Sequence, residues 1–264
     1  MRALCATPAG PQLVERPTPE APPGWVRLAV GLAGVCRTDV AAAQGRIAVA
    51  DGRILGHELA GWTPEGQLVS VRPRLGDGRF LGLGVDGAFA ESLVVPRTSL
   101  VVLPSPIDLR RAAFVEPLAA ALSVLEVVPT EGRVALRGEG RIAELCRRVL
   151  AWAGQPLVDE EEALDVLITT GVDGARSLAA MNPGGLVVLK ARPAAPVAFD
   201  QRTVVERRLR LVGVDYGDFD LAARLLASGE VAVDDLFAAP RPLSAFAEAF
   251  AEAEQRKTFL DPGT

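Results

Sequence analysis

The sequence predicts an α/β fold, with a β-rich amino-terminal part followed by a part built on a parallel sheet. Three observations carry this. Over the first hundred residues, apolar and polar side chains alternate in short runs broken by Pro, Gly and Asp, the period of strands and tight turns. Alanine and leucine then recur at helical spacing from Leu109 to Val127. From Gly132 onward, short apolar runs alternate with helical segments, the pattern of strands joined by crossover helices and therefore parallel.

In chain order, Trp25–Val30 and Gln67–Arg72 are the clearest early strands, and one or two helices follow Pro106. Next come a strand at Arg133–Arg137, a glycine turn, a helix over Ile142–Ala153 and a short strand near Pro156–Val158. A strand at Asp165–Thr169, a helix through Ala175–Met181, the turn Asn182-Pro-Gly-Gly and a strand at Leu186–Lys190 continue the alternation. The arginine-rich run Arg202–Arg210 is interleaved with Val204, Val205 and Leu209, as in an amphipathic segment leading into the strand Arg210–Val214. Helix Phe219–Ser228 stops at Gly229, a common helix terminator. An apolar helix over Pro242–Arg256 and a short strand at Lys257–Leu260 close the pattern, with no internal repeat or low-complexity linker.

The 264 residues suffice for two cores, and a net charge of −5 argues against a general nucleic-acid binder, which needs a concentrated basic face. No apolar run approaches the roughly 20 residues that cross a bilayer, so no membrane partner is expected. The first residues lack the apolar core of a secretory signal, and the three cysteines, Cys5, Cys36 and Cys146, are too scattered for a disulfide framework. A cytoplasmic location is the expectation.

Chemistry concentrates in Gly34-Val-Cys-Arg-Thr-Asp-Val40 and Gly56-His-Glu-Leu-Ala-Gly61, which holds the chain's single histidine. A thiolate and an imidazole are good zinc ligands, and a nearby carboxylate can complete the set. Residue chemistry alone leaves a second assignment open, a core cysteine and a hydrogen-bonded histidine. Gly138-Glu-Gly-Arg-Ile-Ala143 follows a predicted strand and opens a predicted helix, the setting in which backbone amides approach a pyrophosphate.

Together these blocks resemble the medium-chain dehydrogenase/reductase superfamily, whose zinc-containing members carry G-x-C-x-[ST]-D followed by G-H-E-x-x-G. Asp86-Gly-Ala-Phe-Ala-Glu91, Val115-Glu-Pro-Leu118, Asn182-Pro-Gly-Gly185 and Lys257-Thr-Phe-Leu260 are similar to further motifs of that family, in its order. The resemblance implies a GroES-like β-rich catalytic domain over 1–121, a trimmed Rossmann-type dinucleotide domain over 122–238, and a return to the catalytic domain over 239–264. It implies a Zn2+ site of Cys36, His57 and Glu116, with Glu58 exchanging with water at the metal. Thr38 would relay the alcohol proton, Asp39 would fix the His57 tautomer, and Arg37 would contact a cofactor phosphate. Gly138, Gly140, Arg141 and Ile142 would hold the pyrophosphate of NAD, with NADP as the alternative, and Asp159 would meet the adenosine ribose.

The activity so implied is hydride transfer between an alcohol or polyol, or its carbonyl, and the nicotinamide, with zinc as Lewis acid. A homodimer is the candidate assembly. Two other readings are a relative that keeps fold and metal without dinucleotide turnover, and a metal-free enoyl or quinone reductase, which would not need the ligand set.

The chain departs from the family in two places. No cysteine lies between His57 and Asp86, so the four-thiolate structural zinc lobe is missing. About two dozen residues separate the Gly138 turn from Asp165, too few for the usual extra strand-helix-strand excursion, so one βα unit is expected to be deleted. Asp159 lies 21 positions beyond Gly138 and opens the acidic run Asp159-Glu-Glu-Glu162, which would favour NAD over NADP unless the run is only a solvated turn.

Overall fold

The computed structural model describes residues 1–159, 162–171, 178–193 and 196–264. Two compact units result: Met1–Glu116 with Phe219–Thr264, and Pro117–Asp218.

The first unit opens with the antiparallel pair β1 (Arg2–Cys5) and β2 (Gln12–Glu15), then β3 (Trp25–Gly34), α1 (Arg37–Ala43), β4 (Glu58–Trp62), β5 (Leu68–Val71), β6 (Ser92–Pro96) and β7 (Leu100–Val102). The short helix α2 (Leu109–Ala112) follows, and the boundary between units falls inside α3 (Val115–Leu122). β3 organises the sheet: it pairs antiparallel with β4 from Ala29 to Gly34 and with β6 from Trp25 to Ala29. Alternation along β3 puts Val26, Leu28 and Val30 inside and leaves Arg27 and Ala29 exposed. The buried face joins Leu59, Val69, Val71, Phe89 and Val95 in one core.

The second unit contains β8 (Val134–Arg137), α4 (Arg141–Trp152), β9 (Leu164–Thr169), β10 (Met181–Leu189), α5 (Gln201–Glu206) and β11 (Arg210–Gly213). Its sheet has the order β11-β10-β9-β8 with every pairing parallel, as the alternating pattern predicts. Ala135, Leu164, Leu167, Met181 and Val187 form its core. The Asn182-Pro-Gly-Gly turn is absorbed into β10 as a register shift between Met181 and Leu186. Of the helix expected through Ala175–Met181, residues 175–177 lie outside the described residues, 178–180 form a single 3-10 turn, and Met181 begins β10. The expected strand near Pro156–Val158 is reduced to one bridge between Leu157 and Val134.

The chain then returns to the first unit through α6 (Phe219–Ser228), β12 (Arg241–Pro242), α7 (Phe246–Glu252) and β13 (Phe259–Asp261). β13 pairs antiparallel with Ala33 and Gly34 of β3. The expected return at 239 in fact begins at Phe219, and the expected junction at 121/122 lies at Glu116/Pro117. The reason is side-chain anchoring. Asp220 accepts from Arg72 at 2.9 Å, the Arg72 guanidinium lies 5.6 Å from the Phe219 ring centroid, and Arg111 pairs with Asp234. The apolar helix expected over Pro242–Arg256 is α-helical only over Phe246–Glu252. No helix among the described residues is long and apolar enough to cross a membrane.

Candidate metal and catalytic site

The site in the first unit forms where three strand ends meet. Gly34, the last residue of β3, pairs with Glu58 at the start of β4 on one side and with Phe259 at the start of β13 on the other. Cys36 therefore sits two residues beyond β3, His57 one residue before β4, and Lys257 two residues before β13. Sheet register brings residues 36, 57 and 257 to one end of the sheet.

Cys36 is the N-cap of α1, and its backbone N–H donates to Asp39 Oδ2 at 2.9 Å. The other oxygen of Asp39, Oδ1, lies 3.0 Å from His57 Nδ1. One fully buried carboxylate thus starts the helix and orients the imidazole, which combines the turn cap and the tautomer-fixing role the sequence allows. With Nδ1 engaged, Nε2 faces inward, 3.8 Å from Glu116 Oε1. Burial disfavours a charged imidazole here. The Asp39 carboxylate and Cys36 outweigh that effect through charge and hydrogen bonding, and together they hold His57 well above the ordinary imidazole range.

The ligand atoms of Cys36, His57 and Glu58 all lie within 4.8 Å of one another. Thr38 Oγ1 is 3.8 Å from Cys36 Sγ, on the first turn of α1. Glu58 thus reaches both the thiol and the imidazole, whereas Glu116, expected as the third ligand, is brought to the imidazole and is not part of that group. Glu58 Oε2 forms an ion pair with the Lys257 ammonium, and that ammonium also donates to Val35 O at 3.0 Å. Both residues are almost wholly buried, and Lys257 Nζ lies 5.9 Å from the ring centroids of Phe114 and of Phe259. Gly34 is required for this pair, because a Cβ there would stand 2.3 Å from Glu58 Oε2 and 2.8 Å from Lys257 Nζ.

Lys257, which sequence reading places only in a closing strand, is the residue of this cluster that it misses, a buried counter-ion to Glu58. A compositional signal was present, since the chain has two lysines among 28 basic residues, and a lysine kept in so arginine-rich a chain points to a compact ammonium. Arg37, expected at a cofactor phosphate, is exposed at the first position of α1.

In the second unit, the glycine turn joins β8 to α4. Gly138 and Gly140 both have positive φ, 120° and 84°. At Gly138 a Cβ would strike Thr170 Oγ1 at 2.2 Å, so only glycine lets the turn close on the end of β9. Gly140 is the N-cap of α4 and brings no capping side chain to the first turn of that helix. The backbone carbonyl of Asp159 accepts from Arg137 Nη2 at 3.0 Å.

The remaining cysteines are packing residues. Burial pushes the Cys146 thiol up to about 12, against smaller opposing influences of Lys190 and Arg147. At pH near 8 it is thus protonated and unreactive. Iodoacetamide is expected to leave Cys146 unmodified in the native protein and to label it only in denaturant, as read by peptide mass spectrometry; labelling faster than global unfolding would show the burial to be wrong.

Residues 22–105 match the alcohol dehydrogenase GroES-like domain family. Among curated relatives, the 2-dehydro-3-deoxy-L-galactonate 5-dehydrogenase of Pseudoalteromonas atlantica is 26% identical over 88% of this chain and 88% of its own length. The L-threonine 3-dehydrogenase of Streptomyces avermitilis is 30% identical over 67% of this chain and 66% of its own. A zinc-binding dehydrogenase of Sinorhizobium meliloti, whose structure holds NADP, superposes with a TM-score of 0.84 over 99% of each chain at 21% identity. The alignment with the first relative runs over 304 positions, 40 more than the 264 residues of this chain, so it crosses gaps here. A GroES-like part and a parallel-sheet part, joined in this order and closed by a returning strand, are the organisation of the medium-chain dehydrogenase/reductase superfamily, and this chain belongs to it.

Proposed function

We propose that the chain is a zinc-dependent oxidoreductase that transfers a hydride between an alcohol or polyol, or its carbonyl, and a nicotinamide dinucleotide. The observation that carries this is the cluster of the Cys36 thiol, the His57 imidazole and the Glu58 carboxylate, whose ligand atoms lie within 4.8 Å of one another, together with Glu116 Oε1 at 3.8 Å from His57 Nε2. Such a donor set suits zinc in both softness and number.

Cys36, His57 and Glu116 are the residues that would hold the metal. Glu58 is the less suitable third ligand, because its charge is already matched by Lys257. Bound zinc supplies Lewis acidity toward the hydroxyl oxygen, and the nicotinamide takes up the hydride. Asp39, by accepting from Nδ1, keeps His57 in the tautomer whose Nε2 is a ligand. Thr38, whose hydroxyl both donates and accepts and lies 3.8 Å from Cys36 Sγ, would pass the alcohol proton outward. The first-turn amides of α4 with Gly138 and Gly140 suit the pyrophosphate. A reducing, cytoplasmic setting is part of the proposal, supported by the three free thiols, and a homodimer is its candidate assembly.

The test combines metal analysis with turnover. Protein expressed in zinc-replete medium should carry about one zinc per chain and form reduced nicotinamide from secondary alcohols or polyols. Metal-free protein under those conditions would count against the site, and zinc-loaded protein that binds no nicotinamide would count against the reaction.

A further inference from the structure

In a doubly wound dinucleotide fold the strand order is 3-2-1-4-5-6, so the strands that support the adenosine half lie outside the first. The second unit has the order β11-β10-β9-β8, with β8 the strand that leads into the glycine turn. Among the described residues, the outer side of β8 carries only the bridge from Leu157 to Val134, reinforced by Val158 N donating to Val134 O at 2.9 Å. The first-strand position is thus almost the edge of the sheet.

Chain length makes the loss definite. α4 ends at Trp152 and β9 begins at Leu164, which leaves residues 153–163 for everything between. A parallel crossover alone needs roughly a dozen residues, and a second and third strand with their helix need far more. The expected acidic ribose contact is altered as well. Asp159 is exposed, and its backbone carbonyl is tied to the Arg137 guanidinium, so the segment that carries the expected ribose contact is held by a cation on the β8 side. Glu160 and Glu161 lie outside the described residues.

We infer that this chain reads only the nicotinamide mononucleotide and pyrophosphate end of its cofactor, and that the adenosine end is left without a protein wall. The inference rests on the oxidoreductase reading above and narrows its cofactor to a class: any reduced or oxidised nicotinamide nucleotide bearing the 5′-phosphate. NAD and NADP then differ little as ligands, because the 2′-phosphate sits on the part that is not held, and nicotinamide mononucleotide lacks beyond that part only the second phosphate. The expected preference for NAD over NADP through Asp159 is replaced by indifference.

Titration calorimetry of the zinc-loaded full chain with NADH, NADPH, reduced nicotinamide mononucleotide and AMP decides it. Dissociation constants for the three nicotinamides should fall within about tenfold of one another, with no heat from AMP at about 1 mM. NADH or NADPH binding more than about tenfold tighter than the mononucleotide, or saturable AMP binding, would overturn the inference while leaving the oxidoreductase reading intact. Failure of all three nicotinamides to bind would overturn that reading and the inference with it.

Discussion

His57→Ala is expected to empty the metal site and to lower kcat/KM by at least about a thousandfold, since Lewis-acid stabilisation is worth several kcal/mol at the transition state. His57 is the chain's only imidazole, so no other histidine can replace it. The substitution also strands Asp39, whose Oδ1 loses its 3.0 Å partner while Oδ2 stays on the start of α1. Asp39→Asn separates the two consequences. It keeps a side chain able to cap the helix but loses the charge that supports the imidazole, so zinc affinity should fall by about 10–100-fold with the fold retained. Elemental mass spectrometry on both variants reads the metal directly; His57→Ala that retained one equivalent of zinc would refute the assignment of His57 as a ligand.

Lys257→Met should destabilise the protein by about 3–5 kcal/mol, because it leaves the Glu58 carboxylate buried and uncompensated. For a chain of this size that is a fall of about 10 °C in Tm. The pair itself is not the source of the stability; the cost arises from removing one partner. The double variant Glu58→Gln/Lys257→Met should therefore recover most of the loss, which thermal unfolding of the two singles and the double measures as a cycle. Additive losses in the double would show that the two side chains do not interact. A zinc content unchanged in the double would further place Glu58 outside the resident ligand set, in agreement with Glu116 as third ligand.

What the sequence could and could not reveal follows the distance over which each feature is encoded. Cys36, Thr38 and Asp39 lie within one turn of α1, and His57 and Glu58 are adjacent, so the core of the site is written in two short blocks. The Glu58–Lys257 pair joins residues 199 positions apart and depends on β13 reaching β3, which no local pattern records. Helix Phe219–Ser228 was legible to the residue from its periodicity and its glycine stop. Its allegiance was not, because an apolar stripe says that a helix has a core and not which one. The ion pair between Asp220 and Arg72, 148 positions away, is what settles it. The trimmed nucleotide unit was legible for the opposite reason: a count of residues between two strands is a property of the sequence itself.

The first unit is interrupted, since its residues 1–116 are made before the whole of the second unit and its residues 219–264 after it. During synthesis the edge of β3 at Ala33 and Gly34 has no β13 to pair with until residue 259 has emerged, and Glu58 has no counter-ion until residue 257 has. The second unit, by contrast, is complete on the ribosome while the first still lacks its last strands. At about 5–20 residues per second, the half-built sheet waits some ten seconds or more for residues 117–257, with an open strand edge and an unmatched carboxylate. The pairing of β3 with β13 and the ion pair of Glu58 with Lys257 are therefore the last contacts of the first unit that synthesis allows, both set by when the carboxyl-terminal strand arrives.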